Sequence, residues 1–320
     1  MRRLLFFTFW SLSIVAVGQI YPIHSSASLK LDSIRSSLDG SFQRIYYFKS
    51  SDSKPKPLIV QLHSWSFPAD SLKAERLDAE VTSRNFNYIF PNFRGVNNHI
   101  KACCSNYVIS DIDEAIDWAV KHMKVDKSRI YVVGVSGGGY ATLAMYMKSR
   151  HNIKAFSAWV PISDLESWYA ESVERKNKYA SEIVKCTSET GSFNVAKARE
   201  RSPIFWTTPI NKRKNSVLQI FAGIHDGHTG SVPISHSINF YNKLLTDYKI
   251  SDSAAYVSRK ESLEMLNEQI PATSPQSSIG NRAIHLQRQT KHIMLTIFEG
   301  GHEMLSKEVL GYIDRMSEDR

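Results

Sequence analysis

The fold of this chain is decided by residues 132–139, which read Val132-Val133-Gly134-Val135-Ser136-Gly137-Gly138-Gly139. A short apolar run precedes the serine, and an apolar stretch with helical character follows it to residue 150. A Gly-x-Ser-x-Gly sequence between a buried strand and a helix is typical of the sharp turn that exposes a reactive serine. The glycines leave room for such a turn, and the helix places its positive end at the serine. The stretch therefore predicts Ser136 as a nucleophile.

Apolar segments alternate with helical segments on both sides of this turn. Strands are predicted at residues 42–49, 58–62, 88–90, 129–135, 154–161, 216–222 and 293–298. Helices are predicted at residues 71–84, 111–123, 137–150, 165–184, 234–245 and 303–316. Short apolar runs between turns are typical of buried parallel strands. The alternation predicts an α/β fold with a mostly parallel sheet, of the eight-stranded type, and helices on both faces.

A serine hydroxyl is a weak nucleophile and needs a base. His302 follows the last predicted strand, in Glu299-Gly300-Gly301-His302, and Asp226 follows the strand at residues 216–222. Because the carboxyl ends of parallel strands meet at one edge of a sheet, these side chains and Ser136 should lie close together. The chain order serine, aspartate, histidine is that of α/β-hydrolases. We therefore predict Ser136 as nucleophile, His302 as base and Asp226 as the acid that orients it.

Other acids and histidines fit these roles less well. Asp164 also follows a predicted strand, but its position favours capping the next helix. Five other histidines lie in another strand-end loop, at the wrong end of a strand or at helix ends; they are His225, His228, His292, His151 and His122.

The oxyanion of an acyl-transfer intermediate needs two donors. We expect the backbone N–H of Gly137 and one from the loop after residues 58–62, either Ser64 or Trp65. The side chain of Trp65 has two interpretations, a wall of the substrate site or core packing. Four further side chains are candidates to line the substrate: His63, Tyr140, Trp168 and Tyr169. Trp168 and Tyr169 could stack on a sugar ring, but packing of their helix is the favoured use of both.

Several segments together resemble the catalytic domain of the prolyl oligopeptidase family, within the α/β-hydrolases. The matching segments are Phe93-Arg94-Gly95, Val125-Asp126-Lys127-Ser128-Arg129-Ile130, Gly134-Val135-Ser136-Gly137-Gly138-Gly139-Tyr140, Gly223…Asp226…Val232-Pro233 and Gly300-Gly301-His302. The resemblance covers most of residues 58–310. It implies acyl-enzyme chemistry on an ester or amide, with Ser136, Asp226 and His302 as the triad and with no metal or cofactor.

The chain also departs from the larger peptidases of that family. Only about 40 residues lie between residue 18 and the first core strand, too few for a β-propeller. We also find no acidic cluster that could hold the amino terminus of a peptide. We therefore expect an esterase, with decorated polysaccharide as its candidate substrate. The alternative is a serine peptidase of small peptides, and a third hypothesis is an inactive hydrolase fold used as a binding module. The expected partner is a small-molecule, oligosaccharide or peptide substrate.

The composition favours a globular protein over a disordered or fibrous one. The chain has 320 residues, of which 42% are hydrophobic and 22% charged, as is ordinary for a globular protein. The formal net charge is +9, yet no nucleic-acid module is recognisable. The basic excess favours general solubility, with attraction of an acidic substrate as the alternative.

The amino terminus has the pattern of a targeting segment. Arg2 and Arg3 precede an apolar run with small residues at its end, so residues 1–18 predict a signal peptide and a secreted or periplasmic protein. The alternative is a retained amino-terminal membrane anchor. We expect no stable membrane insertion after cleavage, a linker and lead-in helix at residues 19–40, and one catalytic domain at residues 41–320. Residues 250–291 are expected to form an insertion that carries a helix near residues 258–268.

The three cysteines are Cys103, Cys104 and Cys186. Export makes a disulfide plausible, from Cys104 or Cys103 to Cys186, with three buried thiols as the alternative. Their spacing fits no zinc site.

Overall fold

The computed structural model of the chain describes residues 29–269, 277–290 and 292–318. The strands are β1 (Lys30–Arg35), β2 (Phe42–Phe48), β3 (Lys56–Leu62), β4 (Asn87–Pro91), β5 (Val125–Val135), β6 (Ala155–Trp159), β7 (Val217–Gly223), β8 (Ser278–Ile279), β9 (Arg282–Gln289) and β10 (Ile293–Phe298). The helices are α1 (Asp78–Ser83), α2 (Asn106–His122), α3 (Gly137–Lys148), α4 (Leu165–Glu174), α5 (Tyr179–Thr187), α6 (Val195–Glu200), α7 (Ile210–Arg213), α8 (Ser235–Asp247), α9 (Arg259–Leu266) and α10 (Ser306–Glu318).

The strands form a ten-stranded sheet in the order β1-β2-β4-β3-β5-β6-β7-β10-β9-β8. The six central strands, from β4 to β10, are parallel, and the outer strands pair antiparallel. The prediction of a mostly parallel sheet is confirmed, although the sheet has ten strands in place of eight. Since β5, β7 and β10 run in the same direction, the residues that follow them lie at one edge of the sheet.

Helices cover both faces of the sheet, and each face has its own apolar core. On β3, Leu58, Val60 and Leu62 face the core shared with α2, α3 and α8. Ile59 faces the opposite way, into the core shared with α1 and α10. All four side chains are fully buried, and each contributes roughly 1.5–3 kcal/mol relative to an exposed position. Burial on both faces explains why the central strands read as continuous apolar runs.

The predicted lead-in helix at residues 19–40 is wrong where the structure describes it. Residues 30–35 form β1, which pairs antiparallel with β2 from Lys30 opposite Tyr47 to Arg35 opposite Phe42. Most side chains of β1 are exposed, so backbone pairing rather than apolar burial forms the strand, and the sequence carries no strand periodicity. The predicted signal peptide at residues 1–18 lies outside the described residues. No helix in the described ranges is long and apolar enough to cross a membrane.

The predicted insertion at residues 250–291 contains the expected helix as α9. Ser258 caps it: the Ser258 hydroxyl accepts a hydrogen bond from the Glu261 backbone N–H, and the Glu261 side chain accepts one from the Ser258 backbone N–H. The same region also contributes β9, which pairs with β10 in the main sheet. Only three successive positions in the centre of β9 are buried. The sequence therefore shows neither the alternation nor the apolar run that would predict a strand.

Two other helices differ from the prediction: one is shorter, and one is divided in two. The helix expected at residues 71–84 is limited to Asp78–Ser83, because the preceding loop is held by the buried Gln61 side chain. Gln61 Nε2 donates to the Glu75 carbonyl at 2.7 Å, and Gln61 Oε1 accepts from the Leu77 N–H at 2.8 Å. The helix expected at residues 165–184 is divided into α4 and α5, because the chain turns at Lys176, whose φ is 52°.

Candidate active site

Ser136 lies in a strained turn between β5 and α3. Its φ of 57° and ψ of −118° are unusual for a residue with a side chain. A Cβ on Gly138 would collide with the Leu62 carbonyl oxygen, so the turn needs glycine at that position. The Ser136 N–H donates to the Trp159 carbonyl at 2.9 Å, which ties the turn to β6. Ser136 is half-buried, at the amino end of a buried helix.

The loop after β3 lies directly against the start of α3. A Cβ on Gly137 would collide with the backbone nitrogen of Trp65, so the two backbones are in contact. The Trp65 carbonyl in turn accepts from the Asn97 N–H at 3.0 Å. Ser64 and Trp65 are the two candidates for the second oxyanion donor. The structure places the backbone nitrogen of Trp65 next to Gly137.

Asp226 and His302 meet in the loops that follow β7 and β10. His302 Nδ1 lies 2.7 Å from Asp226 Oδ2, and Asp226 is 2% exposed. The second carboxylate oxygen, Oδ1, accepts from the Val232 N–H at 3.1 Å. Both oxygens of the buried carboxylate therefore have partners, and the imidazole ring is held by one of them.

The loop at residues 227–231 covers this pair. A Cβ on Gly230 would lie 2.7 Å from the His302 Cβ and would collide with Asp226 Oδ1. The Gly230 carbonyl accepts from Arg175 at 3.3 Å, and the Ser231 carbonyl accepts from Trp168 Nε1 at 2.8 Å. Helix α4 and the residue after it thus hold the loop against the aspartate and the histidine. The sequence carried no signal for the role of Gly230, because the contact depends on the folded loop.

A second carboxylate near His302, that of Glu75, was also missed. Ser306 Oγ donates to Glu75 Oε1 at 3.4 Å, and Ser306 begins α10 shortly after His302. The Glu75 side chain keeps exposed surface, yet surrounding protein atoms desolvate its carboxylate and raise its pKa to about 7, against the opposing effects of the Ser306 hydrogen bond and of His302. Glu75 belongs to no motif, so it could not be recognised from the sequence.

Most of the side chains predicted to line the substrate are buried. Tyr140 is fully buried, and its hydroxyl lies 2.6 Å from the Arg201 carbonyl oxygen. Trp168 is buried against Trp65, with ring centroids 4.7 Å apart. Trp65 itself is 1% exposed, so packing is the correct interpretation of its side chain. The favoured interpretation of Trp168, packing, therefore agrees with its burial. The substrate role expected of Tyr140 is wrong, because the chemical type of an aromatic residue on a helix does not reveal which face is covered.

His63 and Tyr169 also pack against other rings. His63 is 1% exposed and stacks on Phe93, with ring centroids 4.0 Å apart. Its burial lowers the pKa of the imidazole to about 4, so the ring is neutral at physiological pH. Tyr169 is half-buried and stacks on Phe193 at 3.8 Å. His63 is thus a core residue, and only Tyr169 keeps exposed surface.

Two cysteines of the three form a disulfide. Cys103 is bonded to Cys186, which links the loop before α2 to α5. Cys104 is a buried free thiol, and burial raises its pKa to about 12. The pairing is the second of the two alternatives, and the pairing from Cys104 is not formed.

The weaker candidates have structural partners. Asp164 caps α4, accepting from the Glu166 and Ser167 N–H groups at 2.9 and 3.2 Å. His225 lies between two carboxylates, with Glu268 Oε1 at 2.6 Å and Glu299 Oε1 at 2.7 Å. The others approach backbone carbonyls or precede a strand; they are His228, His151, His122 and His292. No group of three or more His, Cys, Asp or Glu side chains in the described ranges could hold a metal ion.

Sequence comparison finds the prolyl oligopeptidase family over residues 75–261, more than half of the chain. The chain is 24% identical over 170 residues to acylamino-acid-releasing enzyme 1 of Oryza sativa subsp. japonica, a match that covers 48% of this chain and 21% of that enzyme. It is 24% identical over 137 residues to acylamino-acid-releasing enzyme 2 of the same organism, covering 40% and 18%. The chain thus spans about a fifth of the length of these curated relatives.

Solved structures share the fold. The uncomplexed Pyrococcus horikoshii acylaminoacyl peptidase aligns with a TM-score of 0.58 and 17% identity, over 91% of this chain and 41% of that one. Oligopeptidase B from Leishmania major aligns with a TM-score of 0.54 and 13% identity, over 91% and 35%. The family match and this fold lead to one conclusion: the chain belongs to the prolyl oligopeptidase family, a family of serine hydrolases with the α/β-hydrolase fold.

Proposed function

We propose that the chain is a serine peptidase that cleaves amide bonds of small peptides through an acyl-enzyme. The observation that carries this proposal is the 2.7 Å contact between His302 Nδ1 and Asp226 Oδ2 at the same sheet edge as Ser136. An imidazole held in this way by a buried carboxylate is oriented to act as a general base.

The proposed reaction has two steps. Ser136 Oγ attacks the scissile carbonyl carbon while His302 Nε2 accepts the hydroxyl proton, and the N–H groups of Gly137 and Trp65 donate to the oxyanion. The C–N bond then breaks, and His302 returns the proton to the leaving amine. In the second step, a water molecule gives its proton to His302 and attacks the acyl-enzyme, which releases the carboxylic acid and restores the Ser136 hydroxyl. Asp226 keeps its negative charge throughout and stabilises the imidazolium.

The comparisons favour a peptide substrate over an esterified polysaccharide. The curated relatives are named as acylamino-acid-releasing enzymes, and the similar structures are those of an acylaminoacyl peptidase and an oligopeptidase. The expected carbohydrate esterase has no such support. The alternative of a serine peptidase is therefore the better-supported one, although the same triad can also hydrolyse activated esters.

We also propose that the protein is exported. The predicted signal peptide at residues 1–18 and the disulfide between Cys103 and Cys186 both support an oxidising compartment. Intact mass of the protein recovered from its native compartment should show loss of these residues and of two hydrogens. A full-length, fully reduced chain would contradict export.

The nucleophile is tested by labelling with a fluorophosphonate probe, which reacts with activated serines. The wild type and Ser33→Ala should be labelled, because Ser33 is an exposed residue of β1. Ser136→Ala should not be labelled. Labelling of Ser136→Ala, or no labelling of the wild type, would refute the proposed nucleophile.

The substrate class is tested by comparing p-nitroanilides of short N-acylated and free peptides with p-nitrophenyl esters of simple acids and with acetylated or feruloylated sugars. We expect turnover of at least one peptide anilide, lost in Ser136→Ala. Activity confined to sugar esters would restore the esterase hypothesis. Labelling of Ser136 without turnover of any peptide would contradict the peptidase proposal while leaving the nucleophile in place.

A further inference from the structure

A short basic segment lies between α4 and α5 and reads Arg175-Lys176-Asn177-Lys178. We call these four residues the basic bridge. The chain turns here, with Lys176 at a φ of 52°, where the sequence had predicted an uninterrupted helix. All three cationic side chains are exposed. The turn therefore presents a concentrated positive charge to solvent instead of distributing it around a helix.

One end of the basic bridge contacts the loop that covers the candidate acid and base. The Arg175 guanidinium donates to the Gly230 carbonyl at 3.3 Å. Gly230 packs against both Asp226 and His302, since a Cβ on this glycine would lie 2.7 Å from the His302 Cβ. Gly230 thus lies between the Arg175 guanidinium and His302, the proposed base.

The other end contacts the loop that carries the proposed oxyanion donor. Lys178 Nζ donates to Ser66 Oγ at 2.7 Å, and Ser66 follows Trp65 in the chain. The same ammonium lies 3.2 Å from Glu182 Oε1, and the other oxygen of Glu182 accepts from Trp65 Nε1 at 2.8 Å. The basic bridge therefore connects the two loops that would hold the scissile bond between them.

The charge of Arg175 is not balanced by a protein carboxylate. Arg94 and Arg199 each form close ion pairs, whereas Arg175 forms no ion pair with a described residue and bonds only to a neutral carbonyl. An exposed guanidinium retains several N–H donors in a planar arrangement that matches a carboxylate. Its position at the candidate site makes a substrate carboxylate a fitting partner.

We propose that Arg175, assisted by Lys178, binds a carboxylate of the substrate within about two residues of the scissile bond, the distance an extended peptide covers in roughly 7 Å. The inference rests on the proposed peptidase function and adds a preference for acidic peptides to it. The carboxylate has two sources, an aspartate or glutamate side chain or the α-carboxylate at the end of a short peptide. Both present the same planar anion to the guanidinium.

The test uses internally quenched peptides in matched pairs. One series exchanges glutamate for glutamine at each of the two positions on either side of the scissile bond, with an amidated carboxyl end. A second series keeps a neutral sequence and compares a free with an amidated carboxyl end. The measured quantity is the ratio of kcat/KM between the members of each pair, so a general loss of activity in a variant cancels.

We expect the wild type to favour the carboxylate member of at least one pair by about tenfold. Arg175→Gln should bring that ratio close to one, Arg175→Glu should invert it, and Arg175→Lys should retain part of it. Lys54→Gln should leave it unchanged, because Lys54 is an exposed lysine before β3, at the opposite edge of the sheet. The series in which the preference occurs identifies the source of the carboxylate.

A ratio near one for every pair in the wild type would overturn the proposal, and so would a preference that Arg175→Gln leaves intact. The ionic strength gives a further check, because a preference due to charge should weaken with added salt. Fluorophosphonate labelling of each variant separates the two levels of inference. If Ser136 is labelled and peptides are cleaved without charge preference, the anion subsite is wrong and the proposed function stands.

Discussion

Two neighbouring residues, His225 and Asp226, each take part in a short bond between an imidazole and a carboxylate. Asp226 Oδ2 lies 2.7 Å from His302 Nδ1. His225 lies 2.6 Å from Glu268 and 2.7 Å from Glu299. The bond lengths are nearly equal, and both residues lie in the loop after β7. Bond length alone therefore does not distinguish the two arrangements.

Their surroundings differ strongly. The Asp226 side chain is 1% exposed, whereas the side chains of His225 and Glu268 are 39% and 36% exposed. Water screens the second arrangement, and exposed ion pairs contribute little to stability. Because the Asp226 carboxylate is buried, water does not compete for its bond to His302. Its position is fixed by contacts with Gly230 and with the Val232 N–H. At nearly equal distances, it is burial that would suit the pair of Asp226 and His302 to the proposed catalysis, whereas the contact between His225 and Glu268 is a weak surface contact.

Replacing the acid of each arrangement, Asp226 or Glu268, by its amide should give the largest difference in kcat/KM between two variants. Asp226→Asn removes the negative charge that orients and stabilises the His302 ring, and we expect kcat/KM on a cleaved peptide to fall by on the order of 10³–10⁴-fold. Glu268→Gln, the matched change at the exposed pair, should alter kcat/KM by less than about threefold. Steady-state kinetics on both variants measures the difference. A loss in Glu268→Gln as large as that in Asp226→Asn would show that the exposed network also serves catalysis.

The covering loop offers a way to disturb the buried pair without changing its chemistry. In Gly230→Ala, the new Cβ would collide with Asp226 Oδ1, so the carboxylate or the loop must shift. A displacement of about 1 Å at a reacting group can cost roughly 10²-fold in rate, and we expect a loss of that size in kcat/KM.

Gly311→Ala is the matched control, because Gly311 lies within α10 and its Cβ would meet only the flexible Arg315 side chain, at 3.8 Å. This control should retain full activity and gain roughly 0.5–1 kcal/mol in the free energy of unfolding. Unchanged activity in Gly230→Ala would mean that the loop moves aside freely and does not hold Asp226.

The sequence predicted those parts of the candidate site that follow parallel strands. Ser136, Asp226 and His302 each come directly after an apolar strand, and the sheet brings such positions to one edge. Features that depend on tertiary contacts were not predictable. Gly230 covers Asp226 only in the folded loop, and Glu75 approaches His302 because a buried Gln61 side chain holds its loop. Local composition says nothing about either contact.

The errors in the fold have the same cause. The strands β1 and β9 lie toward the edges of the sheet, where side chains alternate poorly between buried and exposed positions. Tyr140 is a candidate for the substrate site only because of its chemical type, and the structure buries it. Apolar periodicity predicts a buried central strand well, but it does not predict backbone pairing at an edge or the direction of a ring.

The smallest expected effect is the pH dependence of the exposed pair. Hydrogen bonds to Glu268 and then to Glu299 raise the pKa of His225 above its usual 6.5. A group with a raised pKa in the folded state contributes stability that is fully present below about pH 6.5 and is lost as the pH rises through the folded-state pKa. Neutral His225 can donate to only one of the two carboxylates, so the contact between the end of α9 and the sheet edge should weaken above that range. The protection of the α9 amides against hydrogen exchange should therefore fall by a few-fold between pH 6 and pH 9, because an exposed pair is screened by water.

His225→Gln should abolish this fall, since glutamine does not titrate. Glu264→Gln should preserve it, because Glu264 lies on the same helix and approaches Lys260 instead of His225. If the α9 amides of the wild type and of His225→Gln lost protection equally with rising pH, another group would be responsible, and the exposed pair would contribute nothing measurable to holding α9. The buried pair predicts the opposite pattern, since Asp226→Asn should affect turnover strongly while leaving the α9 amides unchanged. Measuring both observables on both variants therefore separates a bond that orients a reacting group from one that only attaches a helix.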